Sequence, residues 1–157
     1  MTEAEAAAVR EATAGEAEQV LAAYEWLFAP PGVTPPGWEP AEALGRLSET
    51  LASEDATVFV ALEGERVGGS CSVYIDLRSV RFGDRCWVED LAVDPARRSR
   101  GTGGALLAAA RRWGAARGAT HLELDSGEAR VDAQRFDESQ RPDWRSQQYT
   151  WLLGPSR

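Results

Sequence analysis

Residues 86–113 run from Cys86 through Val88, Leu91 and Val93, across a turn rich in arginine and glycine, and into Leu106, Leu107, Ala110 and Trp113. An apolar strand, a basic turn and an amphipathic helix therefore follow one another directly. Asp94 before Pro95 ends the strand, because a residue preceding proline is driven out of helical geometry. The apolar residues from Leu106 onward recur at three- and four-residue spacing, which predicts a helix starting at Gly101 or Thr102 with its apolar stripe on a sheet.

The first turn of that helix is dense in glycine. A helical glycine costs roughly 1 kcal/mol against alanine, so Gly101, Gly103 and Gly104 together need a reason. A helix N-terminus presents unpaired N–H groups and partial positive charge, and residues without side chains let a phosphate sit directly on them. Arg97, Arg98 and Arg100 add charge just upstream. The plain alternative is a flexible glycine hinge beside solvated arginines; the strand before and the helix after argue for an anion site instead. A P-loop is excluded because no lysine follows the glycines. A dinucleotide fingerprint is excluded by its spacing.

The segment resembles the acyl-CoA signature of the GNAT superfamily of N-acyltransferases, Arg/Gln-x-x-Gly-x-Gly/Ala, here Arg98-Ser99-Arg100-Gly101-Thr102-Gly103, preceded by a strand ending Leu91-Ala92-Val93. The resemblance implies an α/β fold: a mixed, mostly antiparallel sheet of six to seven strands, helices on both faces, and a central parallel strand pair that splays apart to take the pantetheine arm.

With 157 residues and 43% hydrophobic composition, one domain spanning 1–157 with a full core is expected. No apolar run approaches the roughly 18 residues of a membrane span, and residues 1–5 are acidic where a secretory signal would be basic, so a cytoplasmic protein is expected. Cys71 and Cys86 fall in separate strands without metal-ligand spacing, which predicts buried free thiols and leaves no metal site readable. A formal net charge of −8 argues against nucleic acid and leaves a cationic substrate open, although acidity alone also serves solubility.

Along the chain, a short opening strand around Ala7 and Val9 precedes a helix over residues 14–28. Residues 29–40 carry five prolines and two glycines, which excludes helix and central strand and suggests a semi-rigid flap bearing Trp38. A helix over 41–52 leads to strands at 57–62 and 67–77, where Gly68-Gly69 indicates a bend or a close backbone neighbour. After the helix at 102–117, residues 120–125 alternate as a strand that should run parallel to the central one. His121 there is expected to have an ordinary surface or half-buried role. A short helix at 129–138 and a final strand at 147–153 complete the chain.

Acyl transfer from a thioester to an amine needs a cradle for CoA, a donor to the carbonyl, a base for the ammonium proton and an acid for the leaving thiolate. The cradle is Arg98, Ser99, Arg100, Gly101, Thr102, Gly103 and Gly104, with Arg130 keeping a family position further on. By resemblance, the backbone of Leu91 and Val93 holds the acyl carbonyl and the pantetheine amides. Strand alternation puts Glu89 on the face of Leu91, partly buried beside Trp87 and placed as base, with Asp90 turned away. A salt bridge on a half-exposed strand is the competing reading of Glu89.

The family spacing of Arg130, Ala133 and Phe136 is kept, but Asp137 stands where the family commonly has the tyrosine acid. A protonated Asp137, Tyr149 or water is left to do that work, or else Asp137 contacts a cationic substrate. Trp38, Trp87 and Trp144 are expected to line the acceptor pocket with Glu39 and Asp137. The implied activity is transfer of acetyl from acetyl-CoA to a primary amine of a small, cationic metabolite or antibiotic; the partners are that amine, neither nucleic acid nor membrane, and a homodimer is left open. The competing functions are a non-catalytic acyl-CoA-binding or regulatory protein, and a related scaffold acting on a protein amine or in another CoA-linked reaction.

Overall fold

The computed structural model describes residues 7–154. The acidic residues 1–5, which carry the expectation of no secretory signal, lie outside that range. The chain forms two compact units that meet in sequence between Leu124 and Asp125. Among the described residues, no helix is long and apolar enough to cross a membrane.

The first unit is built on a five-stranded sheet of β1 (Ala8–Glu11), β2 (Ala56–Glu63), β3 (Arg66–Ser79), β4 (Gly83–Val93) and β5 (His121–Glu123), in that spatial order. Neighbours are antiparallel except β4 and β5, which are parallel. The fold is thus the expected mixed α/β type, with five strands among the described residues in place of six to seven.

On one face lie α1 (Ala17–Ala22) and α3 (Pro40–Ala52), whose Ala17, Val20 and Leu47 bury against Val58, Val60 and Val67. On the other lies α4 (Thr102–Ala116), whose apolar stripe buries Leu106, Leu107, Ala110 and Trp113 on β3 and β4. The helix read over 14–28 is segmented: a 3-10 turn (Ala14–Glu16), α1, and α2 (Tyr24–Phe28). Bonds of the tighter i→i+3 kind at the joint, Ala23 N–H to Val20 O and Trp26 N–H to Ala23 O, each 3.1 Å, explain the break.

The Gly68-Gly69 pair does both things its sequence suggested. The register of β2 on β3 slips at Ala61/Leu62, leaving Gly68 as the extra residue. A Cβ on Gly69 would stand 3.1 Å from both Ala92 O and Leu106 Cδ1 and 3.2 Å from Thr102 Cγ2. Glycine at that position lets the first turn of α4 lie directly on the sheet. Cys71 and Cys86 are buried free thiols, as expected.

The second unit holds α5 (Val131–Ser139) with Arg130 at its N-cap. The strand expected over 147–153 is absent: the segment has no regular structure, and Tyr149, Trp151, Leu152 and Leu153 are exposed. Alternation and β-propensity mark a segment fit for a pleated surface, but a strand exists only where a neighbour supplies its hydrogen bonds.

Candidate active site

The turn and the start of α4 form where the sequence order places them. Asp94 caps the turn Pro95–Arg97, accepting the Ala96 N–H at 2.9 Å and pairing with Arg66 at 2.5 Å. These partners, the backbone N–H first, hold the Asp94 carboxyl below its usual range. Arg97 pairs with Glu63 at 2.6 Å, whereas Arg98 and Arg100 are exposed and make no ion pair among the described residues. Ser99 and Gly101 take left-handed conformations, φ 65° and 81°, a geometry glycine adopts without strain. They bend the chain into α4.

The first capping bond of α4 runs from Ala105 N–H to Gly101 O at 3.0 Å. The N–H groups of Thr102, Gly103 and Gly104 precede it, so helix geometry leaves them unpaired within the helix. Three amides and a helix dipole stand at one short loop that also carries the exposed Arg98 and Arg100. That donor set fits a pyrophosphate.

The strand leading to this loop opens where expected. β5 pairs with β4 only at Arg85, Cys86 and Trp87, so the same edge of β4 from Val88 to Val93 has no partner strand among the described residues of the first unit. Leu91 and Val93 lie on this open stretch and are half-buried.

The side chains of β4 depart from simple alternation. Ser72 pairs with Asp90 and Val73 with Val88, so Glu89 is the extra residue of a bulge. Cross-strand partners share a face. Asp90 consequently joins Trp87 and Tyr74 on one face, while Leu91 turns with Cys71 to the other. The expectations that Asp90 turns away and that Glu89 and Leu91 share a face are both corrected, because one inserted residue reverses the alternation beyond it.

On that face a cleft of about 450 Å³ is lined by Tyr24, Trp38, Tyr74, Asp76, Trp87, Glu89 and Asp90, with Arg46 and Thr50 from α3. Trp38 of the proline-rich segment stacks on Tyr24 (centroids 5.9 Å, 21°) and meets Phe28 edge-on at 4.8 Å. Trp87 donates its indole N–H to Glu89 Oε2 at 2.5 Å, and Glu89 is exposed rather than partly buried. Asp76 is held by both arms of Arg85, at 2.9 and 2.8 Å, and the Arg85 guanidinium lies 4.9 Å from the Trp87 ring centre. The Tyr24 hydroxyl donates to Asp90 Oδ2 at 2.6 Å, and the Asp90 N–H donates to Ser72 Oγ at 3.1 Å. Burial, then the Asp90 charge, raises Tyr24 well above a phenol's usual value, so it keeps its proton.

A profile of the acetyltransferase (GNAT) family matches residues 20–139. The chain belongs to that family. An uncharacterized N-acetyltransferase of Bacillus subtilis (strain 168), YhdJ, is 31% identical over 93 residues, which are 59% of this chain and 65% of the relative. This GNAT chain thus aligns with less than two thirds of that relative's length. Among solved structures it is similar to AAC(6')-Iy in complex with the bisubstrate analog CoA-S-monomethyl-acetylneamine, with TM-score 0.80, 19% identity, and coverage of 94% of this chain and 97% of that one. It is also similar to the aminoglycoside acetyltransferase meta-AAC0020 from an uncultured soil metagenomic sample in complex with sisomicin, with TM-score 0.76, 19% identity and coverage of 95% and 96%. At such identity these likenesses concern the fold.

The site residues read from the GNAT resemblance fall into two groups. Trp38, Trp87 and Glu89 come together in the cleft of the first unit, and the loop residues 98–104 stand at the N-terminus of α4. Arg130, Asp137, Trp144 and Tyr149 belong to the second unit. There the Ser126 hydroxyl donates to Asp137 Oδ2, and burial, then the Asp125 charge, lifts the Asp137 carboxyl above its usual range against the lowering effect of that hydroxyl. Tyr149 is exposed and donates to Gln147 Oε1 at 2.9 Å; Trp144 is 57% exposed. His121 has the half-buried role expected, with Nε2 3.3 Å from Glu123 Oε1.

Sequence reasoning missed Tyr24, Tyr74 and Asp90. Tyr24 sits in the apolar stripe of its helix and reads as core; its hydroxyl was the one signal that it reaches a polar partner.

Proposed function

We propose that the chain transfers an acetyl group from acetyl-CoA to a primary amine of a small, cationic metabolite or antibiotic. One observation carries this reading: the open edge of β4 runs directly from an aromatic, carboxylate-bearing cleft to the glycine- and arginine-rich start of α4. The family profile spans residues of both units, which supports one acetyltransferase domain over 1–157. The solved relatives bound to a CoA analog and to sisomicin support both substrates. Two buried free thiols suit the reducing cytoplasm.

Bound acetyl-CoA supplies an activated thioester carbonyl. Arg98, Arg100 and the amides of residues 102–104 hold its pyrophosphate, and the unpaired backbone of Leu91 and Val93 orients its arm. Trp38 and Trp87 wall the amine, and Glu89, reached by solvent, accepts the ammonium proton so that nitrogen presents its lone pair. As the C–N bond forms and the C–S bond breaks, the nitrogen gives its second proton to water and the thiolate takes one from Asp137, Tyr149 or water.

A second reading, a non-catalytic acyl-CoA-binding or regulatory protein, draws on Asp137 standing where the family commonly has a tyrosine. A protein amine as acceptor, or another CoA-linked reaction on the same scaffold, is the third. Incubation with acetyl-CoA and sisomicin, spermidine, glucosamine or a lysine peptide, with thiol release as readout, separates them. Burial pushes Cys71 up to about 12 and Cys86 up to about 11, so the native protein adds little thiol signal of its own. Thiol release with a small amine, cut roughly a hundredfold in Glu89→Gln with CoA affinity kept, is the expected result. CoA binding without release on any amine supports the second reading, and release on the peptide alone the third. Sedimentation of the same sample decides whether the chain is a homodimer.

A further inference from the structure

We propose that the Tyr74 hydroxyl oxygen accepts a hydrogen bond from the acceptor's reacting nitrogen, and that Thr50 is the positioning residue that fixes this hydroxyl. This rests on the acetyl-transfer reading above and assigns a contact at the amine end of that site.

Three side chains of the cleft bear hydroxyls: Tyr24, Thr50 and Tyr74. Tyr24 gives its proton to Asp90, and Ser72 stands beside its oxygen. The Thr50 hydroxyl lies 3.1 Å from Arg46 O, one turn back in α3, and 3.2 Å from the Tyr74 hydroxyl. A carbonyl only accepts, so the single Thr50 proton goes to Arg46 O. The bond between Tyr74 and Thr50 is then made with the Tyr74 proton. That fixes the phenol rotor and leaves its oxygen as an acceptor, with no other hydrogen bond among the described residues. Burial, against the lowering effect of the Thr50 hydroxyl, holds Tyr74 above a phenol's usual range, so the proton stays.

The place of this oxygen matches the chemistry. Tyr74 is half-buried and is the cross-strand partner of Trp87 on the cleft face of the sheet, where the Asp90 and Glu89 charges both act on it. An entering ammonium group brings three N–H donors. In the reaction above one proton passes to Glu89 and a second to water, while the third stays on nitrogen in the amide. A carboxylate suits the ammonium stage, whereas a neutral oxygen keeps the third N–H before and after the charge is gone. A groove of about 590 Å³ adjoins the cleft and shares Arg46, Thr50, Tyr74 and Asp76 with it, so the chain bearing the amine has room beyond the hydroxyl.

The test uses the full chain with Tyr74→Phe, Thr50→Val and Thr50→Ser, and sisomicin, spermidine and glucosamine as probes. The contact is present in ground and transition states alike. For each amine that the wild type acetylates, Tyr74→Phe should therefore raise KM roughly tenfold, with a smaller loss in kcat and unchanged CoA affinity. Thr50→Val frees the phenol rotor and should raise the same KM roughly threefold, Thr50→Ser should restore it, and Thr50→Val added to Tyr74→Phe should cost nothing further. An unchanged KM in Tyr74→Phe, or a collapse of kcat at constant KM, overturns the contact while leaving acetyl transfer standing. A higher KM for glucosamine with spermidine unaffected would put the contact on a sugar hydroxyl and overturn it too. Thermal unfolding with each amine in the presence of CoA needs no turnover. An amine that raises the wild-type Tm more than that of Tyr74→Phe supports the contact even where no acetyl moves, and equal shifts in both proteins, or none in the wild type, overturn it.

Discussion

Replacing Gly114 by alanine tests how closely α4 must lie on the central strand. The added Cβ would stand 2.8 Å from Cys86 Sγ and 2.9 Å from Cys86 Cβ. Ordinary carbon contacts sit at about 3.5–4.0 Å, so the helix or Cys86 has to yield by roughly 0.7–1 Å. Cys86 is 1% exposed and packed beneath α4, its Sγ lying 3.9 Å from Ala110 O, which leaves little room to move. Overpacking of this kind costs about 1–3 kcal/mol, while alanine gains about 1 kcal/mol of helix propensity over glycine. Contacts under 3 Å to a buried side chain belong to the upper half of that range, so the net expectation is a loss of about 1–2 kcal/mol, or roughly 3–6 °C in Tm for a chain of this size. Urea denaturation followed by far-UV circular dichroism measures it, with the same substitution repeated in a Cys86→Ala background. Removing Sγ should return part of the loss. A Gly114→Ala protein as stable as the wild type, or more so, would refute the argument and make this glycine an ordinary tolerated helix residue.

Glu16 accepts both nitrogens of Arg10, at 2.7 and 2.9 Å, and the Thr13 N–H, which lowers its carboxyl to about 2 and ties β1 to the first helical turn. A carboxyl depressed in the folded state stabilises above its unfolded value, near 4.5, and loses that contribution as pH falls toward 2. Glu16→Gln should therefore lower Tm at pH 7 but match the wild type near pH 2; an equal deficit at both pH values would contradict the ionic origin. For Asp137, Asp137→Asn should raise KM for the amine with a smaller change in kcat if the side chain contacts a cationic substrate. If it is instead the protonated donor, wild-type kcat should fall as pH rises through its elevated value, and Asp137→Asn should lose kcat at constant KM.

Where local chemistry decides structure, the chain was readable. Asp94-Pro95, the three arginines and the glycines announce a strand end, a tight turn and a helix start, and each forms in that place. The apolar stripe of α4 and the pairing of β4 with β5 follow from periodicity and connection length. What stayed hidden depends on neighbours. The bulge at Glu89 arises from the register between β3 and β4, and it reassigns Asp90 and Leu91 to opposite faces without any mark in the residues themselves. Tyr24 has the spacing of a core residue, and only the fold brings its hydroxyl to a residue 66 positions away. Residues 147–153 have the composition of a strand and form none, since pairing is a property of two segments.

The measurement closest to the central claim is calorimetric binding of CoA to the wild type and to Gly103→Val. Gly103 lies in the first turn of α4, among the amides that helix geometry leaves without intrahelical partners. A branched side chain there stands where a phosphate must approach, so the variant should lose about 2 kcal/mol or more of CoA affinity, roughly thirtyfold, with its circular dichroism spectrum intact. Near-normal affinity in a folded Gly103→Val protein would contradict the cradle and the acetyl-CoA chemistry built on it.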